Sequence, residues 1–431
     1  MKNHDFFCCL DETDMDNSFQ SLRKINLLNP KHFLFTLKND FKKIPGMISD
    51  EALDLLYLSL FVFAVDRLVS RDDAEDSWSR KLHIRIPVLS IGKWKKQKVL
   101  LESILNFLSG DYWSVDFYKR KMLSYEIEAK SHFADLLFPT NQVKNICLLS
   151  GGLDSFIGAV DQLETSKDVI FVSHYGGGKG TKEYQDLLIN SLSKYYKMSN
   201  GTFMQFFAAV LSGCENTQRT RSLLFFSHAI AIASSINQNT NLIVPENGFI
   251  SLNIPLTHSR LGSSSTRTTH PYYMELFQTL ISNLGIKVTI TNPYQFKTKG
   301  EMLQNCKNLK FLNKHLNETM SCSHPDSGRM QGEKVTRHCG NCLPCVIRRA
   351  AIKRAGIKNK DNYRHITLKE TKIARVNLNT YSIAIHKFNP KHAFLKIQNS
   401  GQISENILEY ADLYCRGMNE LKELIEEINA L

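Results

Sequence analysis

Residues 150–155 read Ser-Gly-Gly-Leu-Asp-Ser, set directly between an apolar run, Val143 to Leu149, and a helical pattern, Phe156 to Leu163. A strand that turns through two glycines into a helix constrains this chain more than any other short pattern in it. The glycines allow a tight turn, so successive backbone N–H groups can converge on one anion, and the helix start adds its positive dipole end. Asp154 and Ser155 then fall in the first helical turn, where a carboxylate can hold a metal ion and a hydroxyl can cap or bind phosphate. Ser150, Gly151, Gly152, Leu153, Asp154 and Ser155 are therefore the expected phosphate cradle. It is not a Walker loop, which would require G-x-x-x-x-G-K-[ST].

With 431 residues, 42% apolar and 22% charged, the chain has enough length for two or three domains with large cores. No secretory leader is expected, since the N-terminus carries Asp5, Asp11, Glu12 and Asp14. The most apolar stretch, Leu53 to Val65, is too short to span a bilayer and contains Asp54. These features predict a cytoplasmic protein, in which the ten cysteines read as reduced thiols or metal ligands. The net charge of +12, from 54 basic and 42 acidic residues, suits an anionic substrate such as ATP. It equally suits RNA or an acidic protein partner, and no membrane partner is expected.

Three regions follow one another. Residues 1–140 are expected to form an N-terminal α+β accessory domain, with strands at His32–Leu37, Leu82–Leu89 and Tyr112–Tyr118 and helices at Glu51–Val69 and Val99–Leu108. Pro87 predicts that the second of these strands lies at a sheet edge. Residues 141–355 alternate strands (Asp168–Ser173, Gly201–Phe207, Asn241–Val244, Lys287–Thr291) with helices such as Arg221–Ile236. This is the pattern of a doubly wound α/β domain with a mostly parallel sheet. If the strand order is 3-2-1-4-5, the winding reverses between the strand before Ser150 and the strand before Pro245. Glu246 and Asn247 should then face the glycine loop across the ligand crevice. Residues 356–431 read as a C-terminal extension with a strand at Tyr381–His386 and an amphipathic helix at Ile403–Leu431. The Leu421, Leu424, Ile425 and Ile428 face of that helix is expected to dock onto a core.

The second constellation is sulfur. Cys339, Cys342 and Cys345 stand at C-x2-C-x2-C, and Cys322 precedes them by seventeen positions. Two-residue gaps let thiolates converge on one ion, and four of them close a tetrahedral zinc site with no position left for water, which makes the site structural. Thiolates also suit an iron–sulfur cluster. His324 or His338 is the alternative fourth ligand in place of Cys322. Such a site near the end of the central domain would pin a loop against the ATP crevice.

Taken together, these motifs resemble the PP-loop ATP pyrophosphatases, and within them the QueC-like 7-cyano-7-deazaguanine synthases. The resemblance runs over about residues 143–355. It rests on Leu148 to Ser155, His174-Tyr-Gly176, the Arg-containing helix start Arg219 to Phe226, Phe296-Lys-Thr-Lys-Gly-Glu-Met302, and the cysteines with Arg348-Arg349. The N-terminal extension, the insertion between Cys322 and Cys339, Pro245 to Ser251 and Ser265 to Pro271 look like the divergent QueC-like branch of the Qat antiphage defence systems. The resemblance implies an adenine nucleotide alpha hydrolase-like fold that uses ATP, Mg2+ and Zn2+. It implies a ligase that adenylates the carboxylate of a 7-deazaguanine-type substrate, releases pyrophosphate and lets an amine displace AMP. Asp154, Lys299 and Arg221 (or Arg219) become the expected catalytic groups. Ser150 to Ser155, Tyr175, Glu246 and Asn247 become the nucleotide site, and Cys322, Cys339, Cys342 and Cys345 the metal site. Where the family has Y-G-Q-R-H, this chain has Tyr175-Gly-Gly-Gly-Lys179, and the family's Y-P-D segment has no clear counterpart. Those departures favour a reaction that stops at the amide, with ammonia or an amine of a partner protein of the same defence system as acceptor. A PP-loop tRNA-modifying enzyme and a non-catalytic defence scaffold are the alternatives.

Overall fold

The computed structural model describes residues 3–10, 22–36, 41, 44–131, 143–176, 178–236, 239–256, 267–358 and 363–430. Two parallel sheets organise them. The first takes strands β1 (Asn3–Cys9), β2 (Arg23–Asn26), β4 (Lys81–Val88) and β5 (Tyr112–Lys119) in the order β2-β1-β4-β5. All its pairings are parallel. The second takes β6 (Asn145–Leu148), β7 (Val169–Tyr175), β8 (Phe203–Val210), β9 (Thr240–Ile243) and β10 (Val288–Thr291) in the order β10-β9-β6-β7-β8. The edge beside β8 is covered by β3 (Phe33–Phe35), which leaves the N-terminal region and pairs antiparallel, Leu34 opposite Ala209.

The N-terminal region thus departs from the expected α+β arrangement. Its own four-stranded sheet is entirely parallel, and β1 supplies an inner strand beyond the expected set. Phe6, Phe7, Cys8 and Cys9 are buried in succession, as in a strand covered on both faces. Pro87 is likewise not on an edge strand, since β4 pairs with both β1 and β5. It is tolerated because pairing with β1 stops at Arg85. The expected boundary near residue 140 falls outside the described residues. One apolar core joins Phe6, Ile84 and Trp113 from one side to Ile146, Val172 and Leu242 from the other.

Helix α1 (Asp50–Leu68) runs through that shared core and is buried continuously from Ala52 to Asp66. Ser49 caps its N-terminus by accepting from the Ala52 N–H. The two carboxylates in that buried stretch, Asp54 and Asp66, are compensated. Asp54 accepts from the N–H groups of Leu89 and Ser90 and from Trp94 Nε1, and Asp66 accepts from Arg80 and from Thr220 Oγ1. Among the described residues, no helix is long and apolar enough to cross a membrane.

The remaining helices fix the site. Those that bear on it are, in chain order, α2 (Lys98–Ser109), α3 (Leu153–Leu163), α4 (Lys179–Tyr196), α5 (Arg221–Ser234), α6 (Pro271–Asn283), α7 (Lys299–Gln304), α8 (Leu343–Arg354), α9 (Lys372–His386) and α10 (Ile407–Ala430), with shorter helices between them. The strand expected at Tyr381–His386 is the end of α9. Thr371 caps that helix through the Ala374 N–H, and Ala374, Leu378 and Tyr381 recur at spacings of four and three, which bury one helical stripe. The α10 face carrying Leu421, Leu424, Ile425 and Ile428 is buried against a third core that includes α8 and α9 residues.

His270 ties the C-terminal extension to the second sheet. Its Nδ1 accepts from the Tyr272 N–H at the start of α6, so its Nε2 carries the proton and donates to Ser400 Oγ at 3.2 Å. Gly401 is required beside it, since a Cβ there would lie 2.6 Å from His270 Cε1. Burial, aided by the Arg267 charge, lowers His270 from its ordinary 6.5 to about 3. A depressed histidine contributes stability that is complete above 6.5 and is lost as pH falls toward 3. Urea titrations between pH 7 and 4 are therefore expected to show stability falling with pH, with about 3 kcal/mol of the loss arising from this group. His270→Asn, which keeps the cap, should flatten that dependence; an unchanged slope would count against the assignment.

Candidate functional site

The order of β8, β7, β6, β9 and β10 in the second sheet is the anticipated 3-2-1-4-5, so the winding reverses between β6 and β9. The glycine loop follows β6, and Pro245-Glu246-Asn247 follows β9, so adjacent strands deliver both to the crevice. Gly151 has φ +90°, and a Cβ on it would sit 3.2 Å from Gln185 Cγ, so both backbone and space demand glycine. Helix α3 begins at Leu153 with Gly152 as N-cap and no side-chain cap, which leaves its first N–H groups available to an anion. Ser155 Oγ accepts from the Ser150 N–H and hydroxyl and donates to the Gly152 carbonyl, lacing the loop across itself.

Two residues outside the sequence reading hold this loop. Gln185 on α4 is fully buried, and its Nε2 donates to the carbonyls of Ser150 and His174. Met320 donates its N–H to the Gly151 carbonyl at 2.8 Å. Neither stands in a telling spacing, because both act on loop carbonyls that only the fold brings near. A cavity of about 300 Å³ opens here, lined by Ser150, Gly151, Ser155, Arg221, Glu246 and Cys322 among others. Leu153 is fully buried in the core beneath, so its side chain does not face a ligand. Tyr175 ends β7 with its ring 5.3 Å from that of Phe207 and Lys182 Nζ 5.4 Å from its centroid.

Asp154 is the focus of the charges. Lys299 Nζ lies 2.9 Å from its Oδ1, and Asn247 Nδ2 donates to its Oδ2 at 2.7 Å, with the Asn247 N–H at 3.3 Å. Thr298 caps α7 in a reciprocal box with Glu301, placing Lys299 at the first helical position. Burial alone would raise Asp154, but the Lys299 charge and hydrogen bonds from Glu246 and Asn247 outweigh it and hold the carboxyl at about 2. Half-buried Glu246 moves the other way: desolvation and the Asp154 charge push it well above the usual carboxylate range. The pair therefore carries one negative charge against one lysine.

Of the two arginines at the start of α5, Arg221 belongs to the cavity and Arg219 does not. Arg221 bonds only weakly to His174, at 3.3 Å to the carbonyl and 3.4 Å to Nδ1. Burial, then the Arg67 charge, lowers it from the usual arginine value, so an anion placed there would be welcome. Arg219 instead donates to the Ser109 carbonyl and lies 4.5 Å over the Trp78 ring, joining the two sheets' regions.

Cys322, Cys339, Cys342 and Cys345 converge, all buried, with sulfurs within 4.8 Å of one another. The Cys322–Cys342 and Cys339–Cys345 separations are 3.9 Å, against about 3.8 Å for the edge of a tetrahedron with Zn–S of about 2.3 Å. The N–H groups of His324 and Cys339 approach Cys322 Sγ, and that of Cys342 approaches Cys339 Sγ, which neutralises thiolate charge. The four thiols could hold zinc. His338 lies beside them, its Nδ1 3.8 Å from Cys345 Sγ and its Nε2 against the Thr319 carbonyl, in an outer position. Arg348 on α8 grips Thr319 Oγ1 and the Leu316 carbonyl. The cysteine knot therefore fixes the segment that carries Met320 onto the glycine loop.

Residues 268–356 match the family model described as Queuosine biosynthesis protein QueC. That stretch takes in α6, Lys299, all four cysteines and α8, and is similar to QueC; the glycine loop precedes it. No curated protein matches the chain.

Purified protein is expected to carry about one zinc per chain, and Cys339→Ser to reduce that to near zero by metal analysis. Loss of metal should also speed amide exchange in residues 319–322 and in the glycine loop together. Full zinc content in the variant would show that the four thiols do not form the site.

Proposed function

We propose that this chain is an ATP-dependent carbon–nitrogen ligase of the QueC-like kind, which adenylates the carboxylate of a 7-deazaguanine-type substrate and passes the acyl group to an amine. The observation that carries this reading is the convergence of Asp154, Lys299, Asn247 and Glu246 beside an uncapped helix start at the sheet's switch point. Splitting ATP at its α-phosphate makes pyrophosphate the leaving group. The first N–H groups of α3 and the Ser150 and Ser155 hydroxyls would receive its growing charge. Arg221 and Lys299 would add positive charge on either side of the cavity. Asp154 and Glu246 are the carboxylates that would hold Mg2+, since a cation relieves the repulsion that now keeps Glu246 protonated. Mg2+ would supply charge neutralisation for the phosphates. Zinc, held by the four cysteines, would have a structural role only.

The acceptor is ammonia or an amine of a partner protein, and the setting we favour is antiphage defence in the cytoplasm. The Tyr175–Lys179 segment, altered from the family pattern, supports a reaction that ends at the amide. Incubation with ATP, Mg2+, 7-carboxy-7-deazaguanine and ammonium should release AMP and pyrophosphate and yield the amide by mass spectrometry. Efficient nitrile formation would contradict the amide end point. Asp154→Asn should lower pyrophosphate release about a hundredfold or more. Lys299→Met should act mainly on kcat. Release unaffected by either change would remove the basis of the assignment.

A further inference from the structure

The C-terminal helix reaches the turn that carries Lys299 through a buried carboxylate. Glu420 on α10 is 4% exposed and accepts from the Thr298 hydroxyl, and it also meets the Gly300 backbone N–H. Thr298 is the N-cap of α7 and Gly300 its second residue, so the Glu420 carboxylate sits astride Lys299 in sequence. Arg354 on α8 pairs with it at 3.1 Å. The fit is close, since a Cβ on Gly300 would lie 2.7 Å from both Glu420 Oε1 and Arg354 Cδ. The same helix braces the facing wall of the crevice. Arg416 bonds Glu301 and donates to the Phe296 carbonyl, and Gly417 packs so tightly on Phe249 that a Cβ would come within 2.3 Å of its ring.

We propose that Glu420 is a positioning residue for Lys299, holding the Thr298-Lys299-Gly300 turn so that the ammonium meets Asp154. This rests on the reading of Lys299 as part of the ATP site. Nothing in the mechanism above requires a carboxylate at Glu420, and a buried acid away from the reacting groups is costly unless its partners make use of it. The groups facing it are Arg354 from α8 and Thr298, Gly300 and Glu301 from α7, with Arg416 one turn earlier on its own helix. Burial raises Glu420 to about 7, with the Thr298 bond and the Arg354 charge pulling it down and Glu301 pushing it up. The acid is neutral below that pH and ionised above it. The ionised form accepts more strongly from Thr298 and Gly300 and pairs with Arg354, so the turn is held more firmly as pH rises through neutrality.

The test uses the full chain, with ATP, Mg2+ and 7-carboxy-7-deazaguanine as substrates. Glu420→Gln, which keeps an acceptor but cannot ionise, should hold kcat at the wild-type acid-side value, about tenfold below the wild-type value at pH 8, and lose the inflection near 7. Glu420→Leu should lower kcat about thirtyfold with little change in KM for ATP, yet add no further loss in a Lys299→Met background. Zinc content and melting temperature establish that each variant is folded. Wild-type rates and pH profile in folded Glu420→Leu would overturn the proposal, as would losses that add fully to those of Lys299→Met. A second readout is independent of turnover: hydrogen exchange in residues 298–304 should accelerate in Glu420→Leu while α3 is unchanged. If the wild-type protein released no pyrophosphate, the assigned reaction would fail, and the exchange result would still decide whether Glu420 holds the turn.

Discussion

The buried contact between Lys299 and Asp154 is the interaction on which the crevice depends. Asp154 belongs to the helix after β6, Asn247 follows β9, and Lys299 opens a helix after β10. Three crossovers of one sheet are thus drawn to a single carboxylate. An unpaired Asp at that depth would cost several kcal/mol, so the geometry of all three segments is coupled to the charge balance at one point. The raised Glu246 shows the same constraint from the other side: the site tolerates one negative charge beside one lysine, and a second must be neutralised by a proton or by a cation.

Much of this was legible in the sequence because the relevant signals are local. The Ser150–Ser155 loop between a strand and a helix, and cysteines at two-residue gaps, are short-range patterns with a direct geometric meaning. Alternation of strands and helices gave a parallel sheet, and the order 3-2-1-4-5, taken as a condition, is the one found and brings Asn247 to Asp154. The failures came where long-range contacts decide. Tyr381–His386 alternates like a strand, but Ala374 and Leu378, which lie earlier, set a helical stripe against α10. Pro87 looks like an edge residue until it is seen that β1 pairs with β4 only as far as Arg85. Arg219 and Arg221 are two positions apart and sequence cannot separate them. One turns to the Ser109 carbonyl and the other to the cavity. Gln185 and Met320 carry no motif at all.

The N-terminal region is bound to the second sheet by more than proximity. Helix α1 has apolar contacts on every side, and its Asp66 reaches both Arg80 and Thr220. Thr220 immediately precedes the helix that presents Arg221. The buried Arg71–Asp111–Arg80 cluster continues the network to the end of α2, where the Ser109 carbonyl receives Arg219. Such a network is costly to leave half-made, so the start of α5 is fixed from the N-terminal side as firmly as the cysteine knot fixes the loop on the other.

Strand β3 gives that connection a further meaning. By lending Phe33–Phe35 to the outer edge of the second sheet, the N-terminal region occupies the backbone groups of Ala208–Val210 on β8 that would otherwise be open to any extended chain. The lent strand acts as a built-in guard against edge-to-edge association between copies. A shortened chain beginning at the glycine-loop sheet would inherit the crevice together with a sticky margin. Selection for solubility would then keep the two regions together, even where the crevice at Asp154 alone would not.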